Sequence, residues 1–146
     1  MTLTDTTLNP NDIAIVGLAL RVPGADSPRK FWQNLRDGVE SVRQLSDADL
    51  TAAGVPADLL EHPHYVKSAA VLDNLPMFDA EFFGLSPKEA AIMDPQHRHF
   101  LECAWEALES AGHPPEKFDG RIGVFAGCGM GAYFQQNLLS NPDLVE

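Results

Sequence analysis

The sequence predicts an α/β domain, on three observations. Asp12-Ile13-Ala14-Ile15-Val16-Gly17 is a short continuous apolar run closed by glycine, the pattern of a strand buried on both faces of a parallel sheet. An amphipathic helix follows it, opened by Ser27-Pro28. Near the other end, Arg121-Ile122-Gly123-Val124-Phe125-Ala126-Gly127 repeats the buried-strand pattern. Two such strands joined through helices imply a parallel sheet with right-handed crossovers.

Each element has a local reason. Residues 1–11 are polar and threonine-rich, with no basic residue and no apolar core, so they read as a flexible leader on a cytoplasmic protein, neither signal nor transit peptide. The domain itself occupies residues 12–146. After the first apolar run, residues 18–25 form a loop punctuated by Pro23-Gly24. The helix from Ser27-Pro28 then places Phe31, Trp32 and Leu35 on one face and ends at Gly38. Residues 39–77 read as an irregular insertion. In it Ser46 caps a short helix closed by Gly54, Pro56 starts another through Leu60, and residues 65–72 form an extended edge segment.

The stretch Phe78 to Gly112 organises the chain. Ser86-Pro87-Lys88-Glu89 is a capping-box helix start with proline at the first helical position, and Asp94-Pro95 repeats the cap-plus-proline start. The spacing predicts a short helix, a bend and a longer helix ending at Gly112 before Pro114-Pro115. In the longer helix Arg98, Glu102, Glu106 and Glu109 make one narrow polar stripe. Phe100, Leu101, Cys103, Ala104, Trp105, Ala107, Leu108 and Ala111 fill most of the remainder, an apolar face that needs cover from more than one side. Two strands cannot supply it, so the chain is expected to be an incomplete part of a larger layered domain. Residues 132–139, after the second apolar run, read as a final helix.

Composition excludes some functions. A formal net charge of −11 with ten scattered Lys and Arg argues against nucleic acid and anionic membrane as partners. No apolar run approaches the length of a membrane span. Cys103 and Cys128 sit among apolar neighbours and read as buried, reduced thiols.

Several motifs carry a functional and a plainer reading. Gly127-x-Gly129-x-x-Ala132 fits the dinucleotide fingerprint after a strand and before a helix, yet no following strand carries a ribose-binding acid. The plainer reading is that the glycines permit a close backbone approach. Cys128, near a helix N-terminus, is a candidate nucleophile, against the favoured reading of a small residue in a tight corner. His97 and His99 point apart on a helix and cannot share a metal, while His62 and His64 lack a third ligand. His113 is expected to face the dipole at the end of the longer helix. Phe78, Phe82 and Phe83 are read first as core and second as the lining of an acyl pocket.

A family resemblance rests on an ordered series of motifs. These are Ile13-Ala14-Ile15-Val16-Gly17, Arg21-Val22-Pro23-Gly24-Ala25, Phe31-Trp32, Phe78-Asp79-Ala80 with Phe82-Phe83-Gly84, and Ser86-Pro87-Lys88-Glu89-Ala90. Met93-Asp94-Pro95-Gln96 with Arg98, Leu101-Glu102, Ala104-Trp105-Glu106-Ala107-Leu108-Glu109 and Gly123-Val124-Phe125-Ala126-Gly127 follow. Together they resemble the N-terminal part of a β-ketoacyl synthase (ketosynthase) domain of modular type I polyketide synthases. Residues 50–54 and 65–67 are similar to the variant in hybrid polyketide/non-ribosomal peptide lines. Leu20 stands where many members carry cysteine.

The resemblance implies a thiolase-like layered fold and a homodimer. It also implies decarboxylative Claisen condensation between an acyl chain and a malonyl-type extender, both delivered on the 4'-phosphopantetheine of an acyl carrier protein. The family's nucleophile lies in a Thr-Ala-Cys-Ser-Ser type turn, which does not occur here, and its two catalytic histidines lie further downstream. No catalytic residue, cofactor or metal ligand is therefore assigned, and the chain alone is expected to be inactive. The resemblance places Gly129, Met130 and Tyr133 near the acyl chamber, as substrate-binding residues. An interaction or dimerisation module without catalysis is the alternative, and a dinucleotide-binding unit the third.

Overall fold

The structure, a computed structural model, describes residues 9, 11–129, 131–141 and 143. The leader expected over residues 1–11 lies outside them except for Asn9 and Asn11, where side chains of Asn9 and Asp12 close a short turn. In chain order the elements are α1 (Pro28–Asp37), β1 (Arg43–Gln44), α2 (Asp47–Ala52), α3 (Ala57–Leu60), β2 (Ser68–Ala69), α4 (Pro87–Ile92) and α5 (Pro95–Ser110). A π-helical segment, Phe134–Leu138, follows. None of the helices among the described residues is long and apolar enough to cross a membrane.

The helices begin where their caps dictate. Ser27 accepts from Lys30 N–H at the start of α1, and Gly38 closes that helix with a φ of 65°. Complete capping boxes open α2 at Ser46/Asp49 and α4 at Ser86/Glu89. The Ser46 hydroxyl, then its backbone N–H, holds the Asp49 carboxyl below its usual range; the Ser86 backbone N–H, then its hydroxyl, does the same for Glu89. Asp94 caps α5, and Gly112, with a φ of 72°, turns the chain out of it. His113 Nδ1 lies 2.8 Å from the Ala111 carbonyl oxygen, so its ring meets the negative end of α5 as expected.

The strands differ from expectation. The described sheet is a two-stranded antiparallel pair, Arg43 opposite Ala69 and Gln44 opposite Ser68, inside the 39–77 insertion. It occupies only part of the edge segment expected over residues 65–72. Residues 12–17 and 121–127 enter no sheet, and all but the half-buried Gly17 are exposed, Ile13 at 94% and Phe125 at 100%. The reason is physical. An apolar pattern supplies a strand with side chains to bury but not with the ladder hydrogen bonds that a neighbouring strand must provide.

Packing gathers on α5. Phe82 meets Trp105 edge-on at 4.8 Å and Phe83 stacks on Phe78 at 5.1 Å, so the aromatic cluster packs on itself and on α5, with Phe82 still 54% exposed. Ala25, Leu50 and Ala90 are the buried apolar residues among those described. The polar stripe of α5 is not simply solvated either. Arg98 is only 9% exposed, and its guanidinium reaches the Pro76 carbonyl at 3.4 Å.

Gly17 touches α5 most closely. A Cβ there would lie 2.1 Å from the Ala107 carbonyl oxygen and 2.9 Å from Ala111 Cβ, a clash with helix backbone. At Gly127 a Cβ would meet nothing within 4 Å. Gly17→Ala is therefore expected to lower stability by about 1–3 kcal/mol, whereas Gly127→Ala leaves it nearly unchanged. Urea unfolding followed by helical circular dichroism checks both.

Candidate functional site

Two clefts flank the middle of α5, sharing Arg21, Leu72 and His99 in their walls. The larger, about 970 Å³, is the more polar of the two, with Arg21, Lys30, Asp73, His99, Glu102 and Glu106 among its lining residues. The second, about 470 Å³, is mainly apolar. It lies between α5 and the segment after the second apolar run, against Leu75, Phe100, Cys103, Ala132 and Tyr133.

Ion pairs define the polar cleft. Arg21 forms a bidentate pair with Glu106, donating through Nη1 to Oε2 at 2.9 Å and through Nη2 to Oε1. The same Nη1 reaches the carbonyl oxygens of Leu20 and Asp26 at 3.1 and 3.0 Å. Hydrogen bonding to the Glu106 carboxylate raises the Arg21 guanidinium above its usual range, against the opposing effect of burial. One turn back, His99 Nδ1 lies 3.2 Å from Glu102 Oε2, while its Nε2 is buried without a hydrogen-bond partner among the described residues.

The residues singled out from sequence fall as follows. The Gly129 N–H donates to Gln96 Oε1 at 2.9 Å, at the first turn of α5. Tyr133 enters the apolar cleft and donates its hydroxyl to the Ala91 carbonyl at 2.6 Å. Met130 lies outside the described residues. The helix expected over residues 132–139 is present, as one α-helical step continuing into the π-helical segment. The Gly129 amide, which a pyrophosphate would need, is already engaged, and residues 121–127 form no strand before it.

Both cysteines are free thiols, and they differ. Cys128, expected to be buried, is exposed, because the residues around it are not packed into a sheet. Cys103 is half-buried in the wall of the apolar cleft. Burial pushes its thiol up, with Arg21 opposing and Glu106 and Glu102 adding to the rise. Among the described residues neither sulfur has a hydrogen-bonded histidine or carboxylate to serve as base, and no three His, Cys, Asp or Glu side chains are grouped to hold a metal ion. The rings of His62 and His64 stand 5.7 Å apart on the surface.

Comparison with known proteins agrees with this frame. Residues 10–145 match the model of the β-ketoacyl synthase N-terminal domain. The chain belongs to that family. It is 50% identical over 133 residues, 91% of its length, to a phenolphthiocerol/phthiocerol polyketide synthase polypeptide from Mycobacterium tuberculosis, and covers 9% of that protein. It is 43% identical over 103 residues to polyketide synthase PksN of Bacillus subtilis, covering 70% of this chain and 2% of PksN.

Among solved structures, ketosynthase twelve of the bacillaene polyketide synthase from Bacillus amyloliquefaciens matches with a TM-score of 0.58 and 48% identity. That match covers 66% of this chain and 17% of the solved one. The module 6 ketosynthase of the bacillaene synthase from Bacillus subtilis matches with a TM-score of 0.57 at 38% identity. The chain thus spans less than a tenth of the curated relatives' length, and its fold is the N-terminal part of the α/β ketosynthase architecture.

Reasoning from sequence missed Gln96 and the pairing of Arg21 with Glu106. The available signals were an amide directly after an Asp-Pro helix start and an arginine before a Pro-Gly turn. Neither identifies its partner.

The two thiols are distinguishable. Under iodoacetamide Cys128 is expected to alkylate first, with Cys103 at least about tenfold slower, since it is both shielded and short of thiolate. A raised thiol pKa means the proton is held to higher pH, so the Cys103 rate should climb only above the ordinary thiol range. Mass-spectrometric peptide mapping over a pH series checks both statements.

Proposed function

We propose that this chain serves as the leading part of a ketosynthase that lengthens a carrier-bound acyl chain. In that reaction a cysteine thiolate attacks the acyl thioester and the phosphopantetheine thiol leaves. A malonyl-type extender then loses carbon dioxide, and the resulting enolate carbon attacks the enzyme-bound acyl carbonyl, releasing the cysteine. The observation that carries this reading is the family match over residues 10–145, together with 48% identity to a solved polyketide ketosynthase.

On this reading the residues here supply scaffold and one wall of the acyl site, through Gly129, Met130 and Tyr133. They supply neither the nucleophile nor the two assisting histidines. Exposure of Cys128, with no base hydrogen-bonded to it among the described residues, and the raised thiol of Cys103 support that division. The partners are the rest of the ketosynthase domain, a second copy in a homodimer, and an acyl carrier protein bearing 4'-phosphopantetheine. The setting is cytoplasmic, and no cofactor acts through these residues.

A chimera tests it. Residues 10–145 replace the matching portion of the bacillaene ketosynthase, and condensation is followed by mass spectrometry of the carrier. The chimera is expected to form product, whereas the 146-residue chain given an acyl-carrier thioester acylates neither Cys103 nor Cys128. A folded but inactive chimera, or stable acylation of either cysteine, contradicts the reading.

One observation favours a second reading. Ile13, Ile15, Val124 and Phe125 are exposed large apolar side chains, which suits a module that binds a complementary chain without catalysis. Sedimentation velocity decides whether this surface associates: the second reading expects a concentration-dependent assembly, and a persistent monomer rejects it.

A further inference from the structure

Gly127, Gly129 and Gly131 contribute no side chain to fix the course of the turn before Tyr133. Its surroundings give little more. A Cβ at Gly127 would touch nothing within 4 Å, and one at Gly131 only Phe134 Cβ at 4.0 Å. At Gly129 the neighbour is Gln96, whose Oε1 would lie 3.1 Å from a Cβ and accepts the backbone N–H at 2.9 Å.

The Gln96 side chain is itself oriented. Its backbone N–H donates to Asp94 Oδ1 at 2.9 Å, and its Nε2 faces Asp94 Oδ2 at 3.5 Å. The carboxylate that caps α5 therefore draws the amide nitrogen and leaves the oxygen turned to Gly129. Four residues further on, the Tyr133 hydroxyl donates to Ala91, in the last turn of α4, where a helix carbonyl has no partner of its own. These two hydrogen bonds tie Gly129 and Tyr133 to the helices.

We propose that Gln96 and Tyr133 are positioning residues: together they set where the glycine turn lies on the α4–α5 corner. This rests on the reading of that turn as a wall of the acyl site. A glycine wall can shift by ångströms unless it is held from outside, and a shifted wall changes how well an acyl chain is gripped. The held atom is the Gly129 nitrogen and the holding atom is an acceptor oxygen, so the requirement is for the acceptor rather than for glutamine as such.

Three variants separate the possibilities: Gln96→Leu; Gln96→Glu made together with Asp94→Asn, so that no second carboxylate faces the new one and the helix keeps an amide cap; and Tyr133→Phe. In the 146-residue chain, amide exchange at Gly129 is expected to quicken about threefold to tenfold in Gln96→Leu, the span of one net hydrogen bond, and to stay near the parent in the Glu variant. Tyr133→Phe is expected to quicken exchange over residues 131–135. In the ketosynthase chimera, Gln96→Leu should raise KM for the acyl thioester several-fold with kcat little changed, and the Glu variant should restore it.

Unchanged exchange in Gln96→Leu overturns the tether, and equal behaviour of the Leu and Glu variants overturns the role of the oxygen. Faster exchange with an unmoved KM overturns the link to substrate. If the parent chimera does not condense, the acyl-wall assignment falls with the proposed function, while the exchange measurements still decide whether Gln96 holds the turn.

Discussion

The guanidinium of Arg21 links two parts of the chain 85 residues apart. It forks onto Glu106 of α5 and gathers the carbonyls of Leu20 and Asp26, so the loop after the first apolar run is closed around one cation. Its side chain is 22% exposed and that of Glu106 is 43%, so the pair is neither a free surface contact nor a dry one. With the loop seated, Gly17 can lie against Ala107, and Arg21 forms part of the wall of both clefts. The bidentate geometry matters here, since lysine in place of Arg21 would keep the charge but lose the fork.

Helix α5 is the shared support for everything with a functional reading. The Arg21 loop meets it near its end, Phe82 packs on Trp105, Pro76 meets Arg98, and Gly129 meets Gln96 at the opposite end. Its one thiol faces the apolar cleft with a raised pKa, which suits a packing residue and not an activated nucleophile.

How much was legible in the sequence follows from how local each determinant is. The starts of α1, α2, α4 and α5 were readable because a cap and its recipient N–H lie within three residues. The stop at Gly112 was readable for the same reason. Residues 12–17 and 121–127 read as buried strands, but burial and pairing are granted by neighbours, and the described residues leave Phe125 wholly exposed. Arg98 was legible as part of a polar stripe, but helical spacing cannot show that the Pro76 carbonyl meets it. For the site, Tyr133 was found through a family resemblance, while Gln96 was not found at all: its partner is 33 residues away and is a backbone atom. Charge, by contrast, is a property of the whole chain, and −11 is read from the sequence without knowing any contact.

The central claim is that the N-terminal loop is seated on α5 by a specific pair, Arg21 with Glu106. A double-mutant cycle with Arg21→Met and Glu106→Gln, read as unfolding free energies, tests it most directly. The account predicts a coupling of about 1–2 kcal/mol, as for a partly shielded bidentate ion pair. Additive effects of the two substitutions, with no coupling, would contradict it.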